Sequence, residues 1–198
     1  EVLHENDYDI IRKQLALVSS HEKIEAIVFQ YVHFYGNYNV VQTSRSSYRR
    51  EIRIVRNNLG IVSTGDAQSF RSKDGEKLTA VLTGARIFHY GWVRPQELMR
   101  QKTAFMDTLY HPGASEMQPA TGNNYKYKQI VGLKPFRETH PSVMINRVHT
   151  APNFDFSLAP KVFHPKDAWK LFSGWIESLT GHRLFEFKNY KLVKINEF

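Results

Sequence analysis

Arg86-Ile87-Phe88-His89-Tyr90-Gly91-Trp92-Val93-Arg94-Pro95 places an imidazole, aromatic rings and guanidiniums within ten residues. Val81, Leu82, Ile87 and Phe88 lead into it as a buried strand, and after Pro95 the pattern turns helical. Gly91 can bend the backbone at this corner, and Pro95 suits the first turn of a helix. His89 thus sits near a strand end, where it either caps a core strand or is presented to a ligand from a rigid base.

Outward from that corner the chain alternates strand and helix signals. Asn6 or Asp7 can cap a helix through Ile10, Ile11, Leu15, Leu17 and Val18, ending at Ser19-Ser20-His21. Residues 25–35 (EAIVFQYVHFY) are rich in β-branched and aromatic side chains and predict a strand, followed by a loop at 36–39. Residues 48–56 (YRREIRIVR) alternate as a half-exposed strand. Gly65-Asp66 marks a turn or helix start, and residues 73–77 a polar hairpin loop. Residues 95–110 read as an amphipathic helix with Leu98, Phe105, Met106 and Leu109 on or near one face.

Residues 111–124 predict a mobile loop, and Tyr125-Lys126-Tyr127-Lys128 is a basic and aromatic cluster. A short helix is expected at 141–148, and a longer one at 165–180 with Trp169 and Trp175 as core residues. Strands at 183–188 and 190–195 form a hairpin around Lys188-Asn189 in this reading. The fold class is mixed α/β (α+β). Residues 1–110 form the main unit, and 111–198 a helical and hairpin tail packed on it.

The 198 residues, 41% hydrophobic, suffice for one ordinary core. The absence of Cys excludes disulfides and thiolate metal sites and fits a reducing, cytoplasmic compartment. No apolar run approaches the roughly 20 residues that span a bilayer. A formal charge of +8 and a pI near 9.6 point to an anionic partner: nucleic acid, a membrane surface or a phosphorylated small molecule.

Arg53 and Arg56 are either exposed strand charges or donors to phosphate oxygens. Asp66 is either a helix cap or a general base. A neutral His89 is a suitable ligand for a divalent metal. If these converge, they describe a site for a metal-bound, phosphorylated leaving group. His111, His140, His149 and His164 read as surface or capping histidines. No Gly-x-Ser-x-Gly, His-Glu-x-x-His or Gly-rich phosphate loop is present.

Glu1–Glu5 (EVLHE), Tyr48–Asn57 (YRREIRIVRN), Ser63–Arg71 (STGDAQSFR) and His89–Pro95 (HYGWVRP) together resemble bacterial glycosyltransferases of family 2. The resemblance covers residues 1–110 and, weakly, 141–148. It implies a GT-A-type fold, with a mixed sheet flanked by helices. It also implies a divalent cation (Mn2+ or Mg2+) and transfer of a sugar, with inversion, from a nucleotide-sugar donor to a glycan, a lipid-linked acceptor or another cell-envelope component. Asp66 falls where such enzymes place the acceptor-activating base, and His89 where many carry a metal-ligand His. Arg53, Arg56, Arg71 and Arg94 would serve the donor diphosphate or substrate, and Trp92 would shape the pocket. Glu1 looks like the last residue of the family's Asp-x-Asp-Glu-type motif. The donor-binding half that precedes this motif in the family is absent, so the chain is expected to be a fragment with negligible transferase activity and no competent metal centre of its own. Peripheral association with an anionic membrane would suit such an acceptor.

Two other classes compete. A nucleic-acid or polyanion-binding module would use the basic charge and residues 125–128, with steep salt dependence. A structural or partner-binding fragment would need neither metal nor phosphate.

Overall fold

A computed structural model describes residues 1–65, 69–110, 125, 127, 131–151, 154–156 and 165–194. The fold is mixed α+β. Its two central strands are β2 (Ala26–Tyr35) and β7 (Leu78–Trp92), which lie side by side and parallel. Both are dense in β-branched and aromatic residues, which suits strands covered on both faces. β1 (Val2–Leu3) pairs antiparallel with β7, while β3 (Asn37–Gln42) and β4 (Arg50–Val55) both pair antiparallel with β2. A hairpin of β5 (Val62–Thr64) and β6 (Ser69–Arg71) forms a separate two-stranded sheet.

Alternation along β2 and β7 separates two cores. Ile27, Phe29, Val81, Ala85 and Ile87 pack with Val18 and Ile11 of α1 (Tyr8–Ser19). Ala26, Val28, Leu78 and Ala80 pack with Ile52 and Tyr190. Towards the carboxyl ends an aromatic cluster continues the core: Phe34 stacks on Tyr90 at 4.5 Å between centroids, beside Phe88 and Phe136.

The tail belongs to the same sheet. β8 (Leu133–Pro135) extends it beside β3, and β9 (Tyr190–Leu192) pairs in parallel with the start of β7. The expected hairpin at 183–188 is therefore replaced by irregular chain and one short strand. Phe185 takes a left-handed backbone (φ 53°), which a strand does not accommodate. Two further expectations change. Asp7 caps no helix end with its side chain; its Oδ2 accepts the Arg86 N–H at 2.9 Å instead. The loop at 36–39 shrinks to Gly36 (φ 74°), because Tyr38 is needed in the core as part of β3. A side chain at position 36 would meet Phe156 at 2.5 Å, so glycine is required there.

Of the helices, α2 (Gln96–Tyr110) buries Met99 against Tyr35 and Tyr127 and leaves Leu98 and Phe105 exposed, unlike the apolar face read from its sequence. A short α3 (Ile145–Thr150) follows a 3-10 turn at Ser142–Met144. α4 (Pro165–Thr180) turns Trp169 and Trp175 outward, so neither is a core residue. Among the described residues, no helix is long and apolar enough to cross a membrane.

Candidate functional site

β2 and β7 place His33 and His89 opposite each other in register. Ligands of open α/β sheets gather outside the carboxyl ends of parallel strands, and this pair lies there. His33 Nε2 lies 2.6 Å from the Tyr48 carbonyl, and the two Nδ1 atoms are 3.1 Å apart. A carbonyl only accepts, so His33 carries its proton on Nε2 and its Nδ1 is bare. His89 must then donate from Nδ1, which leaves His89 Nε2 with a free lone pair. Burial pushes both imidazoles down, each to about 4, so the pair is neutral at neutral pH.

The backbone makes room for that ring. A Cβ at position 91 would lie 2.7 Å from His89 Cε1 and Nε2, so glycine lets the imidazole rest over the chain. Lys102 Nζ donates to the Gly91 carbonyl at 2.8 Å and sits 4.4 Å from the Trp92 ring centre.

Glu1, the residue before β1, lies near the pair. Val2, the first residue of β1, is opposite Phe88, and the negative charge of Glu1 just before it favours the charged form of both imidazoles. Arg53 donates to the Glu1 carboxylate from Nε at 3.0 Å and Nη2 at 3.1 Å, and Tyr31 donates to it at 2.9 Å. Burial pushes the Glu1 carboxyl up, but the Arg53 and Tyr31 hydrogen bonds outweigh it and hold the group below its ordinary range. Tyr31 also stacks on His33 at 5.3 Å and lies under the Arg53 guanidinium. Glu51, nearby on β4, is buried; its Oε2 has no hydrogen-bond partner, and burial raises its carboxyl to about 7.

Tyr31, His33 and Tyr48 open on a cleft of about 490 Å³ walled by the β3–β4 loop and α4. Arg49 and Arg183 hold that wall in place. Arg49 pairs with Glu177 and Glu186, while Arg183 pairs with Glu177 and donates to the Ser47 and Thr43 carbonyls.

Of the residues singled out in the sequence, His89 and Arg53 meet in this cluster. Arg56 does not. Its side chain donates to the carbonyls of Val18, His21 and Ile24 at 2.7–3.0 Å, closing the end of α1 at the far end of the sheet. Arg71 donates to Ser69, Phe70 and Asn189. Trp92 stands beside Tyr35 and under Lys102, and Arg94 is exposed close to Lys102. Asp66 lies outside the described residues, as do His111, His164, Lys126 and Lys128. His140 is no surface histidine: it packs on Phe34 and Phe136 and hydrogen-bonds the Tyr90 hydroxyl. Tyr127 is fully buried, which removes it as a platform for stacking bases.

Sequence reasoning passed over His33, Tyr31, Tyr48, Glu51 and Lys102. A signal did exist: two β-rich runs, 25–35 and 78–92, each carry a His near the carboxyl end. For a divalent cation, the bare Nε2 of His89, with its ring oriented by a bond from Nδ1, has the character of one ligand. Among the described residues no group of three or more His, Cys, Asp or Glu could hold a metal ion. No family model, curated protein or solved structure matches the chain.

Proposed function

We propose that this chain forms the acceptor-side part of a GT-A-type glycosyltransferase of family 2. It would transfer a sugar from a nucleotide-sugar donor to a glycan or lipid-linked acceptor. The observation that carries this reading is the gathering of Glu1 and His89 around Tyr31 and His33 near the carboxyl ends of β2 and β7, where Tyr31 and His33 line a cleft large enough for a sugar. These are two residues that the resemblance assigns to one centre, and they come from opposite ends of residues 1–110.

His89 is the residue of this chain that would hold the divalent cation, Mn2+ or Mg2+, through Nε2. When bound, the cation would offset charge on the diphosphate leaving group. The chain's own contributions are separable from it. Tyr48 and His33 fix the His89 tautomer, Arg53 and Tyr31 hold Glu1 ionised, and Lys102 and Arg94 add positive charge near Gly91 and Trp92. Asp66 is assigned as acceptor-activating base on the resemblance alone.

Calorimetry with uridine diphosphate, with and without Mn2+, tests the assignment. The expected result is Mn2+-dependent binding, weaker than micromolar in this chain, that His89→Ala abolishes. Binding of equal strength without Mn2+, or unchanged by His89→Ala, would contradict it.

A further inference from the structure

α4 is attached by the wrong face for a core helix. At 3.6 residues per turn, Trp169, Phe172, Trp175 and Leu179 share one side. That side points to solvent: the four are 47%, 50%, 59% and 66% exposed. The opposite side docks, burying Asp167 and Ser173 and engaging Glu177 with Arg49 and Arg183. Contiguous apolar patches on monomer surfaces rarely exceed a few hundred Å². Two tryptophans, a phenylalanine and a leucine, each about half exposed on one helix face, reach that scale.

Beside the first turns of α4, Arg45, Ser46, Lys166, Trp169 and Lys170 surround an open pocket of about 430 Å³. Its lining holds three cations, of which Lys170 donates to the buried Asp167 carboxylate at 2.9 Å, so Arg45 and Lys166 carry most of the pocket's positive charge. Arg45 Nη1 is buried and lacks a hydrogen-bond partner, while Nη2 lies 3.4 Å from the Phe185 carbonyl. The Phe185 ring is itself 84% exposed.

We propose that this face docks on an anionic lipid bilayer, with a phosphate headgroup seated between Arg45 and Lys166 and the aromatic stripe of α4 at the level of the acyl boundary. Interfacial helices carry Trp, Phe and Leu on one side and Lys or Arg beside them, and α4 with its pocket has that composition. The charge selects the occupant. A second copy laid on the same face would set Arg45 and Lys166 against their own counterparts, whereas anionic headgroups complement them. Trp175 belongs both to the outward stripe and to the cleft that reaches His33, so docking would set the mouth of the cleft at the lipid surface. The docking itself does not depend on sugar transfer; a lipid-linked acceptor entering by that mouth would.

The test is co-sedimentation of the 198-residue chain with phosphatidylcholine vesicles, with and without phosphatidylglycerol, at low salt and without metal or nucleotide. Binding is expected to the anionic vesicles only. It should fall about tenfold or more in Arg45→Gln/Lys166→Gln, since each basic group near the surface contributes about 1 kcal/mol. Trp169→Ser/Trp175→Ser should weaken it comparably and remove a blue shift in tryptophan emission. Lys13→Gln/Lys73→Gln, an equal charge change elsewhere on the exposed surface, should leave it unchanged. No binding to anionic vesicles would overturn the proposal, and so would equal loss in the Lys13/Lys73 variant, which assigns binding to net charge. A concentration-dependent dimer that Trp169→Ser/Trp175→Ser abolishes, without vesicle binding, would give the face to a second copy and overturn it as well.

Discussion

Glu51 shows most directly how a side chain near this site depends on pH. Its carboxyl is buried with one oxygen unpartnered, and burial raises it to about 7. A carboxyl raised in the folded state favours folding while protonated. That contribution is complete below about pH 4.5 and is lost as the pH rises through 7. Glu51→Gln keeps the shape without the charge. Its unfolding free energy in urea is expected to come close to wild type near pH 5 and exceed it at pH 8, by an amount on the order of 3 kcal/mol at most. Equal unfolding free energies at pH 8 would mean that the carboxylate is solvated after all. Gly91 makes a second case. Gly91→Ala puts a methyl where the His89 ring rests, so loss of the His33–His89 hydrogen bond and destabilisation by about 1–3 kcal/mol are expected. His89 ring chemical shifts and urea unfolding check it.

At the scale of elements, α1 and β4 meet through Arg56. The sequence offered two roles for this residue, exposed strand charge or phosphate donor, and the fold uses neither. Its guanidinium satisfies three carbonyls where α1 ends, and β4 places it roughly 25 Å from His33 along the sheet. Arg56→Ala is expected to lower stability by about 2 kcal/mol, as charge-assisted hydrogen bonds to the chain are lost. The His89 ring resonances should stay unchanged; their movement would indicate a role at the site. Strands β2 and β7 and helices α2 and α4 were legible because each follows one periodicity for ten residues or more. Which face of a helix is buried was not legible. α2 uses Met99 rather than Phe105, and α4 uses its polar side, because what decides is the partner: an aromatic cluster for one, Arg49 and Arg183 for the other.

For the whole molecule, the described segments of 111–198 join the main sheet and its cleft rather than forming a separate layer. They add β8 beside β3 and β9 beside β7, and they supply the α4 wall of the cleft. Local pattern gave a strand at 190–195 but paired it with 183–188; β9 instead joins a partner more than a hundred positions earlier, which no local pattern reveals. The site was half legible for a related reason. His89, Arg53 and Glu1 stand out in their own segments, whereas His33 and Tyr31 gain meaning only once β2 and β7 lie side by side. The Glu1–His33–His89 cluster is the centre of the proposed chemistry, and Mn2+-induced relaxation of the imidazole resonances in the 198-residue chain tests it most directly. Addition of Mn2+ with uridine diphosphate should broaden the His89 ring signals first and those of His33 next, leaving His140 and His149 sharp. Uniform broadening of all histidines, or a His89 signal that stays sharp, would contradict a metal-and-diphosphate centre at this corner.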